Sequence, residues 1–578
     1  MNAKPLVLIA LIASLGLTAC ASAVTPIANS PRPTTALVVQ TQIVHQTQVV
    51  NGNSQLYAAT AAPAATSAPA ATQNTQVTYP TSAPPATQIA QLIYATPAPT
   101  AWPQSAYATT VPYDGLPTPE PTPGDMYFQN YGVNPFVDAS EDHLSTFALD
   151  VDTASYTLAR NYIEQGRLPP PDAVRPEEFI NYFKQDYNPP SDVAFGVYAD
   201  GAPSYYNADG TYLLRFGVQG YSVPETERQP SNLTFVIDVS GSMALTNRLE
   251  LVKRSLELLV ERLRPTDTVA IVVFGDNARV LLSPTQGNDT SSILNAIYSL
   301  QPEGSTNTED GLRLGYSLAN QIFRPDASNK VILCSDGVAN VGATSPDAIL
   351  QSIGGYARNG ISLTTLGFGM GNFNDVLMEQ LADKGNGNYA YIDSIEQAQK
   401  LFIDQLTSTL QVIAYDAKVQ VDFNPDVVDR YRLIGYENRN VADQNFRNNA
   451  VGGGAMGAGH TSTAIYAVIL KPDAQGRLAT VQMRWADPQT REVREINGNF
   501  NTFDLAPAFE AASPRYQLAV TVAQFADLLR HSPWADPHSL SAVANTANRL
   551  AQTGLASDPD VAQFAKLAAM TLSLGASN

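Results

Sequence analysis

The chain has 578 residues, with 34 Lys and Arg against 53 Asp and Glu and a formal net charge of -19. That length exceeds what one hydrophobic core supports, so several domains are expected, and the acidic balance opposes binding to phosphate backbones. Two Cys exclude a disulfide scaffold and any Cys-rich zinc or iron–sulfur module, and the five His form no H-E-x-x-H pattern.

Residues 1–20 read MNAKPLVLIALIASLGLTAC. Lys4 precedes an apolar run too short to span a bilayer, which reads as an export signal. The run ends in Leu17-Thr18-Ala19-Cys20, which resembles the lipobox of bacterial lipoprotein signals. That resemblance implies cleavage before Cys20 and lipidation of its thiol. The product would be an exported protein, lipid-anchored on the outer side of a bacterial membrane. An ordinary signal with an unmodified Cys is the alternative. Residues 21–125 form the next region. Between Ala21 and Tyr113 the one charged residue is Arg32, and Ala, Pro, Thr, Gln and Ser dominate. Such a stretch cannot bury enough apolar surface to offset its ordering entropy, so it reads as a disordered tether with a reach of roughly 50–60 Å.

Residues 126–230 hold an N-terminal segment and the first part of a β domain, with alternating strands at 194–198 and 212–218. Asp150-Val151-Asp152-Thr153 resembles the start of a phosphotransferase motif, but a helical pattern follows at once, so turn formation and helix capping is the better reading. Residues 231–413 alternate buried strands and helices. The strands fall at 233–237, 268–274, 278–282, 330–334, 361–367 and 388–392. The helices fall at about 290–300, 309–323, 345–358, 374–383 and 394–413. A further helix starts at Asn247, with Glu250 placed to complete a capping box and Leu249, Val252, Leu256 and Leu259 on one face. This order predicts an α/β fold, a doubly wound and mostly parallel sheet with helices on both faces. Residues 414–500 add strands at 418–423, 464–471, 479–485 and 491–496. The economical account is one antiparallel β domain into which the α/β domain is inserted. Residues 501–578 read as helical, including 516–529 and 537–553. Both junctions of the insertion should lie on the face opposite Asp238, leaving that face open above the β domain.

The first strand of the α/β domain ends in Asp238-Val239-Ser240-Gly241-Ser242. Three short oxygen side chains thus sit at i, i+2 and i+4 at the carboxyl end of a strand, where open α/β sheets bind ligands. Thr306, in the Gly304-Ser305-Thr306 loop, and Asp336, after the KVILC strand, arrive at equivalent places. Carboxylates with hydroxyls and water suit a hard divalent cation, Mg²⁺ first, with Mn²⁺ or Ca²⁺ as alternatives. DVSGSM, the Thr loop and CSDG resemble the von Willebrand factor A domain and its metal-ion-dependent adhesion site over about residues 231–413. The resemblance implies that Ser240, Ser242 and Thr306 bind metal through hydroxyls, and Asp238 and Asp336 directly or through water. It also implies a partner protein that offers a carboxylate to the open coordination position.

Residues 146–179 and 384–393, Phe423-Asn424-Pro425, 432–436 and the Gly-Ala-Gly-His run at 457–460 resemble bacterial von Willebrand A lipoproteins of the YfbK-like type. The glycine-rich 452–459 departs from the acidic residues expected there. The function implied is a lipid-anchored binding module, not an enzyme. A metal-assisted hydrolase, or an envelope scaffold with a structural metal, are the competing readings. Cys334 reads as an inert buried thiol and His460 as a loop residue. No G-x-x-x-x-G-K and no G-x-S-x-G occurs, so nucleotide hydrolysis and esterase chemistry lack their parts.

Overall fold

The structure, a computed structural model, describes residues 35–36, 40–43 and 126–575, except 150, 192, 208, 338–348, 350, 352–358 and 372. Cys20, Asp150 and most of the helix expected at 345–358 lie outside the described residues.

Among the described residues, eighteen strands carry the fold. Their order is β1 (Thr35–Ala36), β2 (Gln40–Ile43), β3 (Val137–Asp138), β4 (Leu144–Ala148), β5 (Phe195–Pro203), β6 (Thr211–Gly220), β7 (Ser231–Asp238), β8 (Thr268–Phe274), β9 (Ala278–Gln286), β10 (Ser328–Ser335), β11 (Ile361–Phe368), β12 (Tyr389–Ile392), β13 (Val412–Phe423), β14 (Val428–Ile434), β15 (Gly454–Gly457), β16 (Thr461–Leu470), β17 (Arg477–Ala486) and β18 (Val493–Asn501).

The apolar runs of the α/β domain form one sheet in the order β12-β11-β10-β7-β8-β9. All neighbours pair in parallel except β9, an antiparallel edge strand that runs to Gln286 rather than stopping at 282. Strand alternation sends Phe235, Ile237, Ile332 and Cys334 towards the helix Arg248–Val260, and Val236, Val331 and Leu333 towards the helices Thr308–Gln321 and Asp375–Lys384. With both faces covered, the strands carry near-continuous apolar runs. The helix expected over 394–413 is broken: Ile395–Gln399 runs into a π turn, Lys400–Asp404, and then Leu406–Leu410. The chain has become β13 by Val412, so the last residues of that expected helix are strand.

The β domain is a sandwich. One sheet has the order β1-β5-β6-β16-β14-β3, the other β15-β13-β17-β18-β2 with β4 on β13. Leu214, Phe216, Tyr466 and Val468 meet Val419, Val421, Val481 and Met483 between the sheets. The outer face of the first sheet is also covered. Leu213, Ile465 and Ala467 pack against the C-terminal helices Pro514–Leu529, Leu540–Gln552 and Pro559–Gly575. Strands β1 and β2 fall inside the stretch expected to be disordered. They pair antiparallel with β5 and β18, so backbone ladder bonds at two sheet edges order residues that no hydrophobic pattern marked.

The insertion is direct. The backbone N–H of Gln229 donates to Oε1 of Gln411 at 3.0 Å, so entry and exit lie side by side. Ser328 Oγ donates to the carbonyl of Leu410 beside them. Both junctions are at the amino ends of β7 and β10, opposite Asp238, as topology requires. The segment before the β domain is not confined to that end. The helix Ala154–Glu164 packs on edge strand β12, and Tyr127 N donates to Phe373 O at 2.9 Å near the carboxyl end of the sheet. Buried ion pairs fasten this flank: Arg160 with Asp393 at 2.5 Å and Arg175 with Asp375 at 2.6 Å. Asp152 does not cap its helix, and neither does Thr153. One Asp152 oxygen accepts from Tyr389 N at 2.8 Å and the other from Arg439 at 3.1 Å, so it joins the flanking segment to the inserted domain.

Candidate metal centre

The loop after β7 turns through a tight 3₁₀ stretch, Gly241–Asn247. Thr246 and Asn247 both have left-handed backbone, with φ of 47° and 58°. That geometry removes the expected capping box: Asn247 makes no side-chain cap bond, and Glu250 instead accepts from Lys253 Nζ at 2.7 Å.

Within this loop Asp238 Oδ1 accepts from Ser240 N at 2.9 Å, and the hydroxyls of Ser240 and Ser242 are 3.0 Å apart. The Thr306 loop is laced to it through the backbone: Gly241 N donates to Gly304 O at 3.1 Å and Glu303 N to Val239 O at 2.5 Å. Gly304 has φ of 71° and Asp276 packs against it, so a Cβ there would be both strained and crowded. Asp276 fixes the same loop by accepting from the Ser305 N–H and hydroxyl at 2.8 and 2.7 Å. Asp336 follows β10, the neighbour of β7, and both Asp238 and Asp336 are fully buried. Thr306 and Ser240 are buried too, whereas Ser242 is half-buried at the rim.

Two buried carboxylates so placed repel. Burial first, and Asp336 second, push the Asp238 carboxyl up to about 7, against hydrogen bonds from Ser240 and Ser335 that pull it down. Two groups here were not among the expected ligands. Ser335 donates to Asp238 Oδ2 at 2.7 Å and accepts from Gly337 N at 3.0 Å. Arg248, buried at the first turn of its helix, donates to Asp336 Oδ2 at 2.6 Å and to the carbonyl of Met370 at 2.5 Å. A cation at a helix N-terminus opposes the helix dipole. That mismatch is the one sequence-level hint that Arg248 has an anionic partner.

The donor set fits a hard cation: two carboxylates and three hydroxyls on loops held by the backbone, with like charges that a cation would relieve. Among the described residues no group of three or more His, Cys, Asp or Glu is arranged to hold a metal ion, so binding here would depend on the hydroxyls. Cys334 lies two residues from Asp336 but fully buried in the sheet, and burial pushes its thiol far up, so it is an inert packed thiol. Among the described residues no helix is long and apolar enough to cross a membrane.

Residues 408–572 match the family described as the C-terminal region of the uncharacterized protein YfbK, and residues 233–338 match the von Willebrand factor type A domain; residues 122–215 match a von Willebrand factor family. The chain is 36% identical over 454 residues to the uncharacterized protein YfbK of Escherichia coli (strain K12), covering 74% of this chain and 78% of that one. It is 29% identical over 204 residues to the human inter-alpha-trypsin inhibitor heavy chain H3, covering 34% of this chain and 22% of that one. Among solved structures, a von Willebrand factor type A protein from Catenulispora acidiphila aligns with a TM-score of 0.40 at 13% identity, covering 65% of this chain and 89% of that one.

Proposed function

The chain belongs to the YfbK-like family of von Willebrand factor A proteins, and from that premise we propose that it is a lipid-anchored extracytoplasmic module that captures a protein partner through a divalent cation. Von Willebrand A domains generally mediate protein–protein interaction, and for the most part they are not enzymes. The observation that carries the reading is the grouping of Asp238, Ser240, Ser242 and Asp336 at the carboxyl end of the sheet, with the Thr306 loop laced to the Asp238 loop.

In this reading Ser240, Ser242 and Thr306 supply hydroxyl oxygens and Asp238 and Asp336 supply the negative charge, directly or through water. The bound cation, Mg²⁺ or a similar hard ion, supplies a coordination position for a carboxylate on the partner. Arg248 holds Asp336 in place, and Ser335 does the same for Asp238. Cys20 would carry the lipid, and the residues after it would hold the body away from the membrane. No acid or base outside the proposed ligand set is needed, which is what a binding role requires and a hydrolase does not.

The test is a pull-down of envelope proteins by the full-length protein in detergent, with Mg²⁺ or with chelator, and with Asp238→Ala as control. A partner retained in Mg²⁺ and lost in both other conditions supports the reading. Retention that ignores chelator and mutation overturns it.

A further inference from the structure

The β sandwich has two ends. At one, β6 leaves through Gly220 and β13 begins at Val412, with Gly220 against Ile413, so this end carries the inserted domain. At the other, outer end lie the tip that joins β5 to β6, the tip that joins β16 to β17, and the connector that follows β18. The connector crosses that end: Thr502 N donates to Gly476 O at 2.9 Å, and Ala506 N to Gly201 O at 2.8 Å. Further along it, Phe509 stacks on Tyr205 of the first tip, with ring centroids 5.3 Å apart.

Two large rings are left uncovered at the outer end. Phe503, in the connector, is 71% exposed, the most of any large apolar side chain among the described residues, and Tyr205 is 49% exposed. Apolar residues scattered singly on a surface need no explanation. Two rings at one end, both on turns, are what an interface with lipid headgroups uses. The amino-terminal strands point to the same end. Thr35 and Ala36 pair antiparallel with Ala199 and Tyr198, and Gln40–Ile43 pair antiparallel with Asn497 to Arg494. β5 and β18 both run towards the outer end, so β1 and β2 both have their amino ends there. Two registers, on two different sheets, thus agree that the chain before Thr35 reaches the sandwich from the end that carries Tyr205 and Phe503. About fifteen residues separate Cys20 from Thr35. A flexible chain of that length spans roughly 20 Å, well short of the reach expected for the whole stretch to residue 125.

We propose that the outer end of the sandwich rests on the bilayer surface, with the rings of Phe503 and Tyr205 at the level of the lipid headgroups. The proposal rests on the reading of Cys20 as the lipid-bearing residue. The lipid supplies the attachment and the rings fix the orientation. Two rings bind a bilayer weakly by themselves, but beside a short leash the contact becomes intramolecular and needs little affinity of its own. Asp209, Asp426 and Asp473 are exposed at the same end, so the contact is made by rings rather than by basic groups, and an uncharged lipid surface suits it. The root of the inserted domain is at the other end of the sandwich, and Asp238 is at the far end of β7 from that root. The proposed cation site is then presented on the side away from the membrane, where a partner can reach it.

The experiment attaches a thiol-linked fluorophore to the full-length protein at Asp209→Cys, at Asp473→Cys or, for comparison, at Leu245→Cys in the loop of the proposed cation site. Cys334 is fully buried and does not compete for the label. The protein is bound to phosphatidylcholine vesicles that contain a nitroxide-headgroup lipid. Labels at positions 209 and 473 should be quenched at least about threefold more strongly than the label at 245, and Phe503→Ser with Tyr205→Ser should reduce that difference. A second preparation carries Cys20→Ser and a histidine tag just before that position, held by nickel-chelating lipid in the same vesicles. If Cys20 bears no lipid, only the first preparation fails to attach, and the second still reads the orientation. Equal quenching at all three positions, stronger quenching at 245, or a difference unchanged by the double substitution overturns the proposal.

Discussion

Gln229 and Gln411 meet across the root of the inserted domain, the N–H of the first donating to the side-chain carbonyl of the second at 3.0 Å. Two strands that enter and leave side by side let a complete α/β domain sit within a β sandwich without disturbing its ladders. The same root places Asp238, and with it the proposed cation site, at the far end of β7. The N-terminal segment then climbs the flank, and Tyr127 reaches Phe373, three residues from Met370, whose carbonyl accepts from Arg248.

Mg²⁺ should stabilise the protein through Asp238. A ligand bound only by the folded state adds about 2.7 kcal/mol at a hundredfold excess over its Kd. Thermal unfolding with and without chelator should show that gain in the wild type and lose it in Asp238→Asn. In chelator the variant should be at least as stable as the wild type, because it removes one of two buried, mutually repelling carboxylates. Equal stabilisation of both proteins by Mg²⁺ would remove Asp238 from the site.

Arg248 is the clamp that the motif does not show. Replacing it with Ala leaves Asp336 buried without that cation and frees the Met370 carbonyl. A broken buried pair costs about 3–5 kcal/mol, read by urea unfolding in chelator. Arg248→Lys should recover little, since a single ammonium does not reproduce a fork spanning a carboxylate and a carbonyl. Gly369 offers an independent check. Its φ is 85° and a Cβ there would lie 2.1 Å from Arg248 Nε, so Gly369→Ala should produce the same loss.

The central sheet was legible because its strands are buried on both faces and read as unbroken apolar runs. The grouping of Asp238, Ser240 and Ser242 was legible because one loop carries them all, and Asp336 because it follows the neighbouring strand; Thr306 lies instead on the loop between the helices Thr290–Tyr298 and Thr308–Gln321. β14 was not read as a strand. It carries Arg430 and Arg432, and Arg432 is buried only because Asp527, from a C-terminal helix, accepts from it at 2.9 Å. A charge satisfied by a residue 95 positions away leaves no local pattern. Asn247 and Glu250 misled for the converse reason: the spacing of a capping box was present, but left-handed backbone at Thr246 and Asn247 carried the cap away from it.

The flank should unfold with the inserted domain rather than separately. Arg175 bonds Asp375 and Glu178 at once, and Arg439 bonds Asp152 and Asp383, all at or near the seam. Arg175→Ala should cost about 3–5 kcal/mol. It should also speed amide exchange in both Pro176–Tyr182 and Asp375–Lys384. Faster exchange in only one of the two helices would show that the seam is not a shared cooperative unit.

Cys20→Ser should release the protein from membranes. The apolar run before it would still direct export, but no thiol would remain to carry lipid. Fractionation after detergent-free washing, with the intact mass of the wild type, checks this. Unchanged attachment of the variant would count against lipidation at Cys20.

The pH dependence of stability should carry the mark of the Lys330–His460 pair. His460 titrates near 6.5 when unfolded and is held down to about 4 in the fold, by burial and then by Lys330. Between those values the unfolded chain takes up a proton that the folded chain refuses. The contribution is therefore present above about 6.5 and is lost as pH falls towards 4, by at most about 3 kcal/mol for a ring that is only half-buried. Lys330 acts with the same sign at higher pH. Burial lowers it to about 8, so stability should rise as pH passes from 8 towards the unfolded value of about 10.4. Lys330→Met should flatten that alkaline slope. It should also raise the His460 pKa by removing a neighbouring cation, and so shrink the acid loss. Urea unfolding of wild type and variant between pH 4.5 and 10 measures both limbs. Identical profiles would show that Lys330 is neither buried as a cation nor coupled to His460.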